Sequence, residues 1–265
     1  MDQEGRTNVR AHADHPDVRT IEGYLALGNE LFEACGAWFI RNLDTPTRFD
    51  ANTIGLIRDA SQMDALLARA DVEYAHLAYR QFHLDPLTPP EVEARLTLAG
   101  FARWTPHLIM VLEGDLSAEP RPFPIREALN ESDWQAYKHL QELDQMEYHE
   151  RLQRPPAPDN GEYLAYVRAK CPPASTWLAY VGDVPCSYVT SWPGANGVGQ
   201  IEDLFTHNQY RHRGLATALI AHCVGDLRAQ GADAIVIIAD PTDTPMQMYS
   251  ALGFRPLFIA RSQYL

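Results

Sequence analysis

The segment Gln200-Ile201-Glu202-Asp203-Leu204-Phe205-Thr206 reads as a strand, and Tyr210-Arg211-His212-Arg213-Gly214-Leu215-Ala216-Thr217 follows it into a helix. A strand that passes through Arg-x-x-Gly-x-Ala into a long helix presents the free backbone N–H groups of the helix start. Gly214 and Ala216 keep side chains away from those groups, and the helix dipole favours an anion there. The spacing differs from a nucleotide P-loop, which ends in Gly-Lys-Ser/Thr. Groups able to carry protons stand nearby: Glu202 and Asp203 on the strand, with His207 and His212 flanking the loop. Strand residues alternate faces, so Gln200 and Glu202 share one face and Asp203 takes the other, an assignment that a bulge would change.

The surrounding elements are legible from periodicity. Leu215, Leu219, Cys223 and Leu227 form one buried helical face, and Gly231 suits a left-handed cap. Ala234 to Ala239 is a short apolar run that reads as a buried strand. The loop Asp240-Pro241-Thr242-Asp243-Thr244-Pro245 ends on an N-cap and N1 pair for a helix over Pro245 to Leu252. Gly253 stops that helix, and Phe254 to Tyr264 is apolar enough for a last strand. Upstream, Ile125-Arg126 begins a strand. Asn130 or Ser132 caps a helix through Trp134, Tyr137, Leu140, Leu143 and Met146. A second helix covers Glu162 to Ala169. Strands are predicted at Thr176 to Val181 and Pro185 to Ser191, joined by a Gly182-Asp183 turn.

Two motifs in this order, Arg211-x-x-Gly214-x-Ala216 and Met248-Tyr249-Ser250-Ala251-Leu252-Gly253-Phe254, resemble the pyrophosphate loop and the Leu-Tyr-x-x-Leu-Gly-Phe ending of the GCN5-related N-acetyltransferase (GNAT) superfamily. The resemblance covers about residues 122 to 265. It implies an α/β GNAT fold: a mixed, mostly antiparallel central sheet flanked by helices. It implies acetyl-CoA as co-substrate, held by the backbone of Leu204, Phe205 and Thr206 and by Arg211, His212, Arg213, Gly214, Leu215, Ala216 and Thr217. It also implies Glu202 as the base, or as the group that orients the substrate amine, with Asp203 in reserve. Tyr249 is implied as the acid that protonates the leaving thiolate, as a phenol with a pKa near 10 can at neutral pH. Two positions depart from the family pattern: Thr242-Asp243-Thr244 replaces the usual Asn, and His207-Asn208 the usual Pro. His207 is a candidate for the acceptor site.

The first half closes as the second does, with helix, Gly-Phe and strand: Leu98-Ala99-Gly100-Phe101 against Ala251-Leu252-Gly253-Phe254. This predicts a degenerate tandem copy that lacks the phosphate loop and walls the acceptor pocket. The expected organisation is a flexible arm over 1–18, a degenerate GNAT-like domain over 19–114, a proline-rich linker over 115–124 and a catalytic GNAT domain over 125–265. Within the first half, Ile21 to Arg41 is expected to be helical. Thr53 to Arg58 and Val72 to Tyr79 are expected as strands. Pro89-Pro90 opens a helix, and Leu108 to Leu112 follows as an apolar segment.

The chain has 265 residues, a net charge of −13 and 46% hydrophobic residues, enough for a packed core. Acidity argues against generic nucleic-acid binding and favours cationic partners such as amines. No run is long and apolar enough to span a membrane. The four cysteines show no metal-ligand spacing, no His-x-x-x-His pair lies on a helix face, and the expected compartment is the reducing cytoplasm. The leading expectation is an N-acyltransferase acting on a small-molecule amine. The alternatives are the same fold using a carrier-protein or aminoacyl-tRNA donor, or a non-catalytic acyl-CoA sensor.

Overall fold

The computed structural model describes residues 16–117, 119–151, 153, 161–194, 196–241 and 245–265. The chain forms two compact units. Unit 1 takes the chain through Val111, together with Ile238–Tyr249 and Arg255–Leu265; unit 2 takes Leu112–Ile237 and Ser250–Phe254.

Unit 2 begins with β6 (Ile125–Glu127), α4 (Glu131–Arg151) and α5 (Glu162–Ala169). Then come β7 (Ser175–Val181), β8 (Val184–Trp192), β9 (Val198–Thr206), α6 (Leu215–Ala229) and β10 (Ala234–Ala239). Its strands lie in the order β10-β9-β8-β7-β6, antiparallel except for the parallel pair β9–β10. Helix α6 buries Leu215, Leu219, Cys223 and Leu227, the face read from the four-residue spacing, and Gly231 follows at φ +92°. Gly199 has no side chain because Leu227 of α6 packs onto it: a Cβ there would stand 2.9 Å from Leu227 Cδ1. Helix α4 runs through Trp134, Tyr137, Leu140, Leu143 and Met146 as predicted; the first three are buried and Met146 is exposed. The proline-rich segment is not helical. Gly114 O accepts from Arg228 of α6 at 2.6 Å, Ser117 N donates to Leu252 O at 3.0 Å, and Phe123 lies beside Gly214.

Unit 1 contains α1 (Pro16–Ala26), β1 (Glu30–Ala34), β2 (Ala37–Arg41), β3 (Thr53–Gly55), α2 (Met63–Glu73), β4 (Gln81–Leu84), α3 (Pro90–Leu98) and β5 (Arg103–Leu112). It also holds α7 (Pro245–Ala251) through Tyr249, and β11 (Arg255–Tyr264). The order is β1-β2-β3-β4-β11-β5, again antiparallel apart from one parallel pair, β3–β4. Strand β11 lies between β4 and β5, so residues from the far end of the chain complete this sheet. The core gathers Phe39, Ile54, Leu66, Phe82, Val92 and Leu96.

Three expectations for this half are corrected. Ile21 to Arg41 is not one helix: α1 ends at Ala26, and β1 and β2 form a hairpin. Its turn is Cys35-Gly36 at φ +52° and +68°, the double left-handed geometry of a tight hairpin. Val72 to Tyr79 is not a strand. Met63, Leu66 and Ala70 are buried at helical spacing while Val72 is 69% exposed: α2 ends at Glu73, and turns carry the chain on to β4. The strand expected over Thr53 to Arg58 stops at Gly55, where Leu56 turns left-handed at φ +48°. The arm expected over 1–18 lies outside the described residues as far as His15, and Pro16 opens α1.

Unit 1 also shows why its own strand–loop–helix differs from that of unit 2. Ahead of α2, at the start of the short 3-10 turn Ala60–Gln62 that leads into it, Asp59 accepts from the Ser61 backbone N–H at 2.8 Å and from the Ser61 hydroxyl and Gln62 amide. A carboxylate of the protein thus caps the turn into α2, whereas α6 follows Gly214 with no side-chain cap. Beside β3 and β4, the fully buried Glu22 pairs with His83, and a Cβ on Gly55 would fall 2.5 Å from the Glu22 carboxylate.

Candidate active site

Strand β9 carries the site in unit 2. Its parallel register with β10 runs from Val198↔Ala234 to Ile201↔Ile237, while β9 itself continues to Thr206. The last residues of β9 therefore extend beyond that pairing. On its other side β9 pairs with β8 as far as Ser187↔Thr206.

That pairing contains a bulge. Thr190 faces Glu202 and Tyr188 faces Phe205, so Asp203 and Leu204 share the single residue Val189. Asp203 takes φ +54°, a left-handed conformation that Asp tolerates better than most residues. The bulge corrects the alternation argument. Gln200, Glu202 and Phe205 lie opposite Trp192, Thr190 and Tyr188 on one face, the face covered by α4, and Asp203 is turned toward the same helices. Asp203 accepts from the hydroxyl of Tyr163 on α5 at 3.1 Å. Tyr188 donates to Asp144 of α4 at 2.9 Å.

Asp144 was not singled out by sequence, since it lies 44 residues from its partner on a helix of ordinary polarity. Burial pushes its pKa up to about 6, helped by the charges of Asp203 and Glu147 and opposed by the Tyr188 hydrogen bond and by Arg211. Burial and the Asp144 charge raise the Tyr188 phenol well above its usual value. Glu202 accepts from Gln200 Nε2 at 2.6 Å.

The loop after β9 is braced by its own arginines. Arg211 donates through Nε to Thr206 O at 2.9 Å and forms an ion pair with Glu147 of α4. Arg213 donates to Gln209 O at 3.0 Å and covers the Tyr210 ring at 5.1 Å. His207 accepts from Gln209 N at 3.2 Å, and His212 sits at φ +60°. Gly214, at φ +95°, is the N-cap of α6 and supplies no side-chain cap. The first backbone bond of α6 runs from Ala218 N to Gly214 O, so the N–H groups of Leu215, Ala216 and Thr217 precede it. Leu215 is buried, whereas Ala216 and Thr217 are half-buried at the helix start. A neighbour that sequence did not point to is Arg121, whose Cδ lies 3.8 Å from where a Cβ on Gly214 would be.

These donors fit an anion: three open amides at a positive helix end, a glycine where any other residue would be strained, and an arginine beside it. Tyr249 is buried on α7, in the segment Ile238–Tyr249 of unit 1. The positions Thr242-Asp243-Thr244 lie outside the described residues. Among the described residues no group of three or more His, Cys, Asp or Glu is arranged to hold a metal ion, and no helix is long and apolar enough to cross a membrane.

Residues 134–254 match the acetyltransferase (GNAT) family model. No curated protein matches the chain in sequence. Among solved structures, a GCN5-related N-acetyltransferase from Kribbella flavida is 15% identical with a TM-score of 0.69, over 93% of each chain. A tandem GNAT protein from the clavulanic acid biosynthesis pathway, solved without acetyl-CoA, is 13% identical with a TM-score of 0.58, over 96% of each chain. A GCN5-related N-acetyltransferase from Sphaerobacter thermophilus is 14% identical with a TM-score of 0.56, over 87% of this chain and 76% of that one. At these identities the likeness is one of fold, and it extends across both halves. The chain carries an acetyltransferase (GNAT) family domain over residues 134–254, and it shares the fold of these GNAT proteins.

Proposed function

We propose that this chain is an N-acyltransferase that moves an acetyl group from acetyl-CoA to a primary amine of a small molecule. The observation that carries the reading is the end of β9, which outruns its register with β10 and leads through a bulge into the uncapped start of α6. Acetyl-CoA supplies the acyl group as an activated thioester. The amides of Leu215, Ala216 and Thr217, with His212, Arg213 and Gly214 shaping the turn, receive its pyrophosphate. Arg211 contributes by bracing the loop. The backbone of Leu204, Phe205 and Thr206 pairs with the pantetheine arm like an added strand.

In the reaction the amine nitrogen bonds to the thioester carbon and the carbon–sulfur bond breaks. Glu202 takes the proton that the amine must lose, and Tyr249 gives one to the departing thiolate, as its place in the family signature implies. Unit 1 takes no second acyl-CoA in this reading; the turn that leads into its equivalent helix is already capped by Asp59. The reading places the chain among cytoplasmic enzymes that act on small amines.

Calorimetric titration with acetyl-CoA tests this, beside a Gly214→Glu variant checked for folding by circular dichroism. Binding in the parent and its loss in the folded variant are expected, followed by thiol release on adding amines. A parent that does not bind acetyl-CoA overturns the donor assignment and brings carrier-protein or aminoacyl-tRNA donors forward. Binding without thiol release favours an acyl-CoA sensor.

A further inference from the structure

Four carboxylates crowd the β9 bulge. Asp144 and Glu147 are one turn apart on α4, and Glu202 and Asp203 are adjacent on β9. The mutual repulsion is felt at Asp144, where the charges of Asp203 and Glu147 both favour protonation. Arg211 offsets this charge but is engaged with Glu147 and Thr206 O. Tyr163 and Tyr188 fix Asp203 and Asp144 in place by donating to them.

An independent observation concerns Gln200, on the same face of β9. It is 1% exposed, and while its Nε2 donates to Glu202, its Oε1 accepts no hydrogen bond. A buried carbonyl without a protein donor is costly, and an N–H of a bound ligand would satisfy it. Beside carboxylates, the donor that suits it is cationic.

We infer that the acceptor is a small aliphatic polyamine-type cation, with one amine presented to Gln200 and Glu202 and a second ammonium held by Asp144 and Asp203. This rests on the acyl-transfer reading above and narrows it to acceptors with two separated positive charges. The second ammonium forms no bond and loses no proton; it sets affinity.

The test compares thiol release from acetyl-CoA by the full chain with butylamine and with 1,4-diaminobutane. The diamine should be favoured in kcat/KM by at least about tenfold, through KM. In Asp203→Asn and Asp144→Asn that preference should fall toward one; the asparagine side chains keep an oxygen for Tyr163 and Tyr188. Equal use of the two amines by the parent, or a preference that survives both substitutions, overturns the inference and leaves acyl transfer standing. No thiol release with any amine, in a protein that still binds acetyl-CoA, overturns acyl transfer and the inference with it.

Discussion

Tyr188 and Asp144 meet at 2.9 Å between the central strand β8 and helix α4, where burial pushes the pKa of the half-buried carboxyl up to about 6 against the opposing pull of the Tyr188 hydrogen bond. A carboxyl whose folded pKa is raised stabilises the fold most below its unfolded value, and that contribution is lost as pH rises through about 6. Asp144→Asn removes the charge while keeping an oxygen for Tyr188. The variant should melt higher than the parent at pH 8, with the gain gone at pH 4. Thermal unfolding at the two pH values checks this, and equal shifts at both would count against it.

Ala216→Glu separates phosphate binding from folding. Ala216 is half-buried in the first turn of α6, where a carboxylate complements the helix dipole. The melting temperature should hold or rise slightly. Acetyl-CoA affinity should fall by more than about tenfold, because the new charge stands where phosphate is expected. Calorimetry and a melt on the same sample decide it.

Arg121→Glu probes the segment that passes the loop. The Arg121 side chain lies beside Gly214, whereas Arg211 and Arg213 are each engaged within the domain. Reversing its charge should weaken acetyl-CoA binding by about tenfold at low ionic strength and flatten the loss of affinity with added salt. An unchanged Kd at low ionic strength would remove Arg121 from the phosphate site.

Unit 1 offers a pH test of its own. His107 bonds Ser262 Oγ at 2.9 Å, and burial, reinforced by the neighbouring His83, lowers its pKa to about 4. His83 is shifted the other way: burial alone would lower it, but the Glu22 charge and hydrogen bond raise it. A depressed pKa gives stability that is present above the unfolded value and lost as pH falls toward 4. His107→Gln should therefore gain on the parent between pH 6.5 and pH 4. Urea midpoints at three pH values across that window measure the gain, and a constant difference would contradict it.

Unit 2 was legible because its signals are local. The spacing of Leu215, Leu219, Cys223 and Leu227 falls on one helix, and Gly231 and Gly253 stop helices where left-handed backbone is needed, at φ +92° and +103°. The tandem relation was also legible, from the helix-Gly-Phe-strand endings. The β1–β2 hairpin was not: β1 mixes Glu30 and Glu33 with Leu31 and Phe32, a pattern that suits a helix face equally well, and the turn rests on a left-handed Cys35. The bulge was foreseen as what would overturn the alternation but not located, since Asp at positive φ is tolerated without being required. Asp144, Tyr163 and Tyr188 come from three separate elements, and only folding brings them to the same strand.

The position of β11 sets an order of events during synthesis. Tyr264 pairs with Gln81 and Arg103, so the sheet that begins at Glu30 stays open between β4 and β5 until the last strand has emerged from the ribosome. Everything unit 2 needs up to Phe254 is translated before that. The half that is made first is thus completed after the other, and its two unfilled strand edges are exposed to chaperones, or to other nascent chains, until β11 is made.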